Sequence, residues 1–523
     1  MGKGQKAFTW LVARRDMLLV LLALVGVIAY VAGAEVMGEA GFPLDDAWIH
    51  QTYARNLART GQWAFVPGQP SAGSTSPLYT LLLSVGYVLN VPFLWWATLL
   101  GGLALALAGL IAVRLAERLL PESRLVGMWA GLATVTAWHL IWAGASGMET
   151  MLFATLTLAL VLLAWRELDA SHGTLWAASG RGAVLGLAGA AATLARPEGV
   201  GLVGLVGLLM WLARPGESWR SVLAWSAGVA LGWLVGVMPV ALLNLSLNGG
   251  LLPDTAAAKQ AENLPLLQNP YLARVVNLLY PLSAGGQLAL VPGMVVAAGW
   301  VLRRVWQCRS AALLLAPLLW AAALIGLYAA RLPAPYQHGR YVIPALPHLV
   351  LYGVVGTALI WRWGAGAMVG RVLSRTLAST AVALFALFWG IGWQQYGRDV
   401  QIIQSEMVAT ARWLEQHILP DQLLAVHDIG AVGYYAPRPI LDLAGLVSPE
   451  VIPIIRDAEA LWALMEARGA RYLMALPDQV PGQDPSDPRL CQVFTSGGRW
   501  SPGAGGANMA VYALAWDGSC DPP

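Results

Sequence analysis

Residues 41–77 read GFPLDDAWIHQTYARNLARTGQWAFVPGQPSAGSTSP and form the first long polar interruption in a hydrophobic chain. The segment opens with adjacent carboxylates, Asp45 and Asp46, and continues with His50, Tyr53 and two arginines. It closes in a run rich in proline, glycine and serine, which is incompatible with a regular helix. We therefore expect the chemistry of this protein to be centred here, with the rest of the chain as its scaffold.

The composition indicates a membrane protein. Of 523 residues, 57% are hydrophobic and 12% are charged, whereas roughly a quarter of the residues of a typical soluble domain are charged. Mean hydropathy is +0.59. Backbone polar groups must be paired inside a bilayer, so the spanning segments are expected to be helices. The net charge of +3 is too small to indicate a nucleic-acid partner.

Apolar runs of spanning or near-spanning length define the predicted membrane domain. About 11 spans are predicted, at 17–34, 93–113, 125–143, 149–165, 181–196, 199–213, 221–247, 287–302, 311–329, 341–361 and 376–393. The fold class is thus all-α polytopic over 1–393, with a first outer loop at 35–92. Within that loop, 77–90 is interpreted as a helix at the outer interface, with Ser76 as N-cap and Pro77 as first residue.

The basic residues orient the chain. Lysine and arginine favour the cytoplasmic side, and with the N-terminus inside most of them before residue 394 fall in inner connections. The first run contains a signal-peptide-like Ala32-Gly33-Ala34 and is interpreted as an uncleaved helix. An odd number of spans then places the C-terminal segment outside. We expect a multi-pass protein of a bacterial-type plasma membrane with a cytoplasmic N-terminus.

Residues 394–523 have ordinary amphipathic patterns and predict a small extracytoplasmic α/β domain. Its elements are expected as helices at 400–418 and 458–468 and strands at 423–427, 440–443 and 471–476. Cys491 and Cys520 both lie in this oxidising compartment, where they are able to form a disulfide. Cys308 falls in a cytoplasmic loop and is expected to be a free thiol.

The acidic pair is the first candidate for chemistry. Adjacent carboxylates repel each other, which raises the pKa of at least one, and a raised pKa suits a general base that takes a proton from a sugar hydroxyl. On a helix that starts here, Asp46 and His50 share one face and Tyr53 follows one turn later. The alternative is that acids at a helix start only stabilise it. No cofactor is required by the pattern, although Asp45, Asp46 and His50 are able to ligate a divalent cation.

Further charges lie at the outer ends of predicted spans. Lys259 in LPDTAAAKQ and Arg340 in HGRY are candidate phosphate ligands, with contacts to lipid headgroups as the alternative. Glu149 in SGMET is costly at that depth unless it is paired. Arg196 in ARPEG is expected to pair either with Glu198 or with Glu149.

Together these motifs resemble those of the GT-C glycosyltransferases, integral membrane enzymes that move a sugar from a polyprenyl-phosphate carrier to an acceptor on the outer side. The resemblance runs from residue 44 to 446 and rests on LDDAWIHQTYARNL, PGQPSAGSTSPLYTLLL, SGMET, ARPEG, LPDTAAAKQ, HGRYVIPALP and HDIGAVGYYAPRPILDLAGL. Within the superfamily, the sequence resembles the arabinofuranosyltransferase-like bacterial branch most. It is more distant to the protein mannosyltransferases and the lipid A aminoarabinose transferase, whose acidic pair is Asp-Glu.

The resemblance implies an inverting transfer to a glycan, lipid or protein hydroxyl, in cell-envelope glycan or glycoconjugate synthesis. Asp45 is then the base, and Asp46 orients it or the acceptor. The donor phosphate is expected to be held by Lys259, Arg340 and Arg196. Contacts to the substrates are expected from His50, Tyr53, Glu149, His338 and Tyr341.

Two other classes are open at this point, a transporter or flippase of lipid-linked sugars and a non-catalytic membrane subunit. Transporters usually have repeated halves and charged or broken spans near the midplane, whereas the charges here lie at the outer ends. A subunit without activity has no need of an acidic pair with two outer cations. The pattern favours the glycosyltransferase.

Overall fold

The computed structural model describes residues 3–123, 125–170, 174–214, 217–517 and 520. The α-helices that begin before residue 394 are α1 (Lys3–Met37), α2 (Asp46–Thr60), α3 (Pro77–Val88), α4 (Phe93–Leu119), α5 (Val126–Thr136), α6 (Trp138–Ala145), α7 (Thr150–Leu168), α8 (Leu175–Ala195), α9 (Gly199–Ala213), α10 (Trp219–Asn248), α11 (Thr255–Glu262), α12 (Tyr271–Ser283), α13 (Val291–Gln307), α14 (Ala316–Arg331), α15 (Tyr336–Gly339), α16 (Leu346–Gly364) and α17 (Met368–Ile403). The later helices are α18 (Ala409–His417), α19 (Gly430–Tyr435), α20 (Ala458–Ala467) and α21 (Trp500–Gly503). The strands are β1 (Ala64–Val66), β2 (Gln69–Pro70), β3 (Leu424–Val426), β4 (Ile440–Asp442), β5 (Tyr472–Ala475), β6 (Leu490–Thr495) and β7 (Ala510–Leu514).

Among the described residues, 8 helical segments are long and apolar enough to cross a bilayer. Each coincides with a predicted span. The three remaining predicted spans are helical as well, but 125–143 is divided into α5 and α6 by the extended backbone of Ala137. The other two coincide with α8 and with the short α9. The helical membrane class is thus confirmed, while the number of spans stays a prediction.

Glycines allow α8 and α10 to pack backbone against backbone. A Cβ at Gly182 or Gly186 would lie 2.1 or 2.2 Å from a carbonyl oxygen of α10, and one at Gly228 or Gly232 would lie 2.0 or 2.2 Å from a carbonyl of α8. Both pairs have a spacing of four residues, which places small residues on one stripe of each helix. Close packing of this kind explains much of the glycine in the apolar segments.

The first outer loop folds as α2, a β1–β2 hairpin and α3. Asn56 on α2 donates to the carbonyls of Ala64 and Phe65, both at 2.9 Å, and so fixes the hairpin against the helix. The segment predicted to lie at the interface is helical, as α3 with Pro77 at its first position, and its place at the membrane interface stays a prediction. Ser76 precedes it as expected, but its hydroxyl makes no capping hydrogen bond with a described residue.

The expected boundary at 393/394 lies inside a continuous helix. α17 runs on to Ile403 and leads through a π-helical turn, Gln404–Val408, into α18. In that turn the buried carboxylate of Glu406 accepts hydrogen bonds from Asn508 at 3.1 Å and from the Met509 N–H at 2.9 Å. A membrane helix therefore holds the C-terminal domain through a buried charge as well as through the chain itself.

The C-terminal domain is a five-stranded mixed sheet in the order β4-β3-β5-β7-β6. β3 is parallel to β4 and β5, and β7 is antiparallel to β5 and β6. Alternate residues face opposite sides: Leu473 and Ala475 pack in the core with α20, whereas Tyr472 and Met474 join the main core of the protein. The three predicted strands are β3, β4 and β5; the predictions did not include β6 and β7.

The cysteines have the states expected of them. Cys491 and Cys520 form a disulfide with their Cα atoms 5.5 Å apart, and Cys308 is free and exposed. The free thiol lies in a connection predicted to be cytoplasmic and the disulfide in a domain predicted to be extracytoplasmic, as the compartments require; the orientation itself stays a prediction.

We expect a membrane-impermeant maleimide to label Cys308 only after cells that contain the protein are permeabilised, because the connection between α13 and α14 is predicted to be cytoplasmic. A Cys308→Ser variant is the control and should stay unlabelled in both conditions. Labelling in intact cells would reverse the orientation of every span.

Candidate functional site

The acidic pair begins α2 and points its two side chains in different directions. Asp46 lines a cavity of about 250 Å³ at the helix ends that are predicted to lie outside. Asp45 is 9% exposed and accepts hydrogen bonds from the N–H groups of Gly430 at 2.6 Å and Ala431 at 2.8 Å. It makes no capping hydrogen bond within its own helix. Asp45 therefore binds the C-terminal domain, and Asp46 faces the cavity.

Asp46 is surrounded by cations. Its Oδ2 lies 3.1 Å from Nζ of Lys259 and 2.7 Å from Nη2 of Arg340. Burial alone would raise the pKa of Asp46, but these two positive charges outweigh it and hold the pKa well below its ordinary value. Burial likewise lowers the pKa of Lys259, but the negative charge of Asp46 outweighs it and raises the pKa of Lys259 above its ordinary value. All three groups are therefore charged at neutral pH.

The pKa of Asp45 is shifted in the opposite direction, upward. Burial and the nearby charge of Asp428 raise its pKa to about 8, against the opposing effect of the two backbone N–H groups. The sequence predicts one raised pKa in the pair, and the direction is confirmed for Asp45. Burial is its main cause, however, and the charge of Asp46 contributes least among the causes.

Arg340 has unused capacity to donate hydrogen bonds. Its side chain is buried, and Nη2 is used by Asp46 and by the hydroxyl of Tyr341 at 3.0 Å. Nε and Nη1 have no hydrogen-bond partner among the described residues. An unpaired buried donor costs about 1–3 kcal/mol, and a guanidinium with two free donors is suited to bind an oxyanion.

A second polar group lines the cavity beside the acidic loop. His50 Nε2 lies 3.3 Å from a carboxylate oxygen of Glu149, whose other oxygen lies 3.8 Å from Nε of Arg196. Arg196 Nη2 lies 3.5 Å from Glu198 and also contacts the Tyr328 hydroxyl, which donates to Glu198. Both pairings considered for Arg196 are thus present at once.

The structure brings most of the predicted site residues to one cavity. The members of that set that line it are Asp46, His50, Glu149, Arg196, Lys259, Arg340 and Tyr341. They come from α2, from α11 and from the connections that precede α7, α9 and α16. Residues far apart in sequence meet there because the outer ends of these helices converge.

Two predicted substrate contacts lie elsewhere. Tyr53 is fully buried; its hydroxyl accepts from the Gly73 N–H at 2.9 Å and bonds Ser71 at 2.7 Å, so it shapes the loop. His338 lies 2.7 Å from a carboxylate oxygen of Asp399. It sits between the rings of two tryptophans, away from the cavity lining. Neither residue lines the cavity, and each has a partner elsewhere; their contact with a substrate stays a prediction.

Sequence reasoning missed two further groups. Tyr328 lines the cavity and bonds both Arg196 and Glu198, but it lies within an apolar span whose pattern does not distinguish it. The segment 427–431 approaches the acidic pair, and in the sequence it is marked only by the family resemblance. The signal in the sequence is the adjacent pair His427 and Asp428, at the end of a predicted strand.

The three residues considered for a cation do not form a ligand set. Asp45 bonds backbone N–H groups, Asp46 pairs with cations and His50 approaches Glu149. Over the described ranges, no cluster of three or more His, Cys, Asp or Glu is arranged to hold a metal ion.

A larger cavity of about 650 Å³ lies between α5, α16 and α17. Its lining is apolar, with Trp129, Phe385 and Trp389 among its members. Arg362, the charged residue of this lining, pairs with Glu122. The charges that chemistry requires are therefore gathered in the smaller cavity.

Comparisons with known proteins agree on the fold. The structure of ArnT from Cupriavidus metallidurans bound to undecaprenyl phosphate is similar with a TM-score of 0.58 at 15% identity, over 96% of this chain and 99% of that chain. An oligosaccharyltransferase of Archaeoglobus fulgidus has a TM-score of 0.60 at 12% identity, over 97% of this chain and 75% of that chain. The arabinofuranosyltransferase AftD from Mycobacteria has a TM-score of 0.50 at 18% identity, over 96% of this chain and 41% of that chain.

The chain therefore has the fold of the GT-C membrane glycosyltransferases and is a multi-pass membrane protein. Residues 392–512 match the family described as Domain of unknown function (DUF8728). No curated protein matches the chain.

Proposed function

We propose that this protein transfers a sugar from a polyprenyl-phosphate carrier to an acceptor hydroxyl on the outer face of the membrane, with inversion, in the synthesis of a cell-envelope glycan or glycoconjugate. The observation that carries the proposal is the arrangement of Asp46, Lys259 and Arg340 in one cavity, with two donors of Arg340 unused. Such a site combines a carboxylate for the acceptor with cations for a phosphate.

The comparisons support a lipid phosphate as the donor group. ArnT was solved with undecaprenyl phosphate, and the Archaeoglobus fulgidus enzyme AglB was solved with an inhibitory peptide and a dolichol-phosphate. The same Archaeoglobus fulgidus oligosaccharyltransferase was also solved with zinc and sulfate. For the present chain the donor, the acceptor and any divalent cation are parts of the proposal.

The leaving group determines what the cations do. When the bond from the anomeric carbon to the phosphate oxygen breaks, the phosphate gains negative charge and needs no proton. Lys259 and Arg340 are already charged and held in place, so they stabilise that charge without reorganisation. Nε and Nη1 of Arg340 have no partner among the described residues, so Arg340 retains a donor for a phosphate oxygen.

We assign the base to Asp46, whereas the family resemblance implied Asp45. A general base must first be within reach of the proton that it takes, and Asp46 lines the cavity. When a phosphate shares Lys259 and Arg340, those charges stabilise the Asp46 carboxylate less, and its basicity rises. Asp45 then positions the pair through the C-terminal domain.

The second polar group is assigned to the sugar. Glu198 Oε2 is buried without a hydrogen-bond partner among the described residues, and Glu149 and His50 line the same cavity. Arg196 is paired with two carboxylates and a phenol, so it is assigned to holding this group and not to the donor phosphate. Hydroxyl groups of a sugar are suitable donors for the free carboxylate oxygen.

The proposal is tested by a donor screen with the full-length protein in nanodiscs. Polyprenyl-phosphate arabinose, mannose, glucose and galactose would be offered with an acceptor mixture, and release of polyprenyl phosphate would be measured. We expect release from one donor, at a rate about 10³-fold lower in Asp46→Asn. Binding of every donor without release from any, by folded protein, would favour a transporter of lipid-linked sugars.

A further inference from the structure

Two segments of the C-terminal domain pack directly on the proposed site. Residues 427–431 bond Asp45, and Leu446 from the second segment lines the cavity. A Cβ on Gly73 in the first outer loop would lie 3.0 Å from the carbonyl oxygen of Leu446. The acidic loop is therefore covered on its outer side by a domain to which no chemistry has been assigned.

The first of these segments touches the acidic pair through its backbone. A Cβ at Gly430 would lie 2.0 Å from the carbonyl oxygen of Asp45 and 2.7 Å from its Oδ2. The approach leaves no space for a side chain, so the position of Asp45 depends on where this segment lies.

The same segment reaches the helix that bears the phosphate lysine. His427 Nε2 lies 3.2 Å from Oε1 of Glu262 on α11, and its Nδ1 lies 3.3 Å from Oδ1 of Asp428. Gln479 donates to the other oxygen of Asp428 at 2.8 Å. Glu262 and Lys259 stand three residues apart on α11, which places them on neighbouring turns of one face.

These contacts close a ring. Asp46 pairs with Lys259, α11 joins Lys259 to Glu262, and His427 joins Glu262 to the segment that bonds Asp45. Burial alone would lower the pKa of His427, but Asp428 and Glu262 outweigh it and raise the pKa well above its ordinary value. A positively charged imidazole between two carboxylates is a stronger link than a neutral one.

We propose that His427 is a positioning residue of the transfer site, which holds α11 through Glu262 so that Lys259 remains beside Asp46. The identity of the group that Lys259 binds rests on the proposed function, whereas the placement of α11 does not. The C-terminal domain then positions both functional groups of the site. It positions the base, Asp46, through its neighbour Asp45, and it positions the phosphate ligand, Lys259, through α11.

The experiment compares His427→Ala and His427→Gln in the full-length protein in nanodiscs. Glutamine retains an N–H donor for Glu262 and alanine does not. His417→Ala is the matched control, since His417 is an exposed histidine of the same domain and contacts Trp413. Two quantities are measured: hydrogen–deuterium exchange of residues 255–262, and the Kd for undecaprenyl phosphate.

We expect His427→Ala to accelerate exchange across 255–262 and to weaken undecaprenyl phosphate binding about tenfold, the loss typical of one coupled contact. His427→Gln should recover most of both effects, and His417→Ala should change neither. In a Lys259→Met background, His427→Ala should weaken binding little further, because the two losses share one cause.

Unchanged exchange in 255–262 of a folded His427→Ala protein would overturn the proposal. Additive losses in the double variant would also overturn it, since His427 would then act independently of Lys259. If the wild-type protein binds no undecaprenyl phosphate, the proposed donor is wrong, and the exchange measurement still decides the role of His427.

Discussion

Lys259→Met is expected to weaken the binding of undecaprenyl phosphate by about 100-fold, in the range for a truncated, partly desolvated charge pair. Methionine keeps an unbranched side chain of similar length but removes the charge. Lys259 is held 3.1 Å from Asp46 in the cavity, so its loss leaves Arg340 alone to balance both Asp46 and a phosphate. The Kd in nanodiscs is the measurement, and it requires no knowledge of the sugar or the acceptor.

Arg274→Met is the matched control for this prediction. Arg274 lies on α12, stacks on Tyr271 and does not line the cavity. The substitution Arg274→Met removes the same charge from a neighbouring helix and should leave the Kd unchanged. Equal losses in the two variants would mean that the cations act only through the general surface charge, and the phosphate site would have to be sought elsewhere.

Asp46→Asn is expected to reduce the rate of sugar transfer by about 10³-fold, within the range for loss of a general base. The amide has the same shape but does not accept the acceptor proton. Binding of undecaprenyl phosphate should persist or tighten, because Lys259 and Arg340 lose the carboxylate that competes with a phosphate for them. A lower rate with intact donor binding is the expected signature.

Asp45→Asn provides the comparison within the same pair. Asparagine retains one oxygen for the N–H groups of Gly430 and Ala431 and directs an NH2 group at the other. We expect the transfer rate to fall about tenfold through displacement of the pair, in the range for loss of one well-placed hydrogen bond. A full rate in Asp46→Asn together with inactive Asp45→Asn would return the role of base to Asp45, as the family resemblance implies.

The polar positions that sequence reasoning selected share a physical property. A charge at the outer end of a membrane helix is costly unless it is paired, so Glu149, Arg196, Lys259 and Arg340 stood out from their apolar surroundings. All four line the cavity. Their selection needed only the transfer free energy of single side chains, which is a local quantity.

The predicted residues that lie outside the cavity, and the one that the sequence does not mark, are residues whose position depends on partners from other segments. Tyr53 and His338 are polar residues near the outer side, yet Ser71 and Asp399 turn them away from the cavity. Tyr328 is the opposite case. It lies within an apolar span that gives no sign of a polar role, and its hydroxyl bonds Arg196 and Glu198 in the cavity. A pattern along one segment carries no information about a partner supplied by another.

The sequence by itself determined the class of the protein, the outer loop at 41–77 and the charged residues worth testing, because hydropathy and helical period are properties of short segments. Only the tertiary structure decided that Asp46 and not Asp45 faces the cavity, and that the C-terminal domain reaches both Asp45 and α11. The bond from Asp45 to Gly430 joins residues 385 positions apart. Such a contact arises from how whole helices pack, and no local preference encodes it.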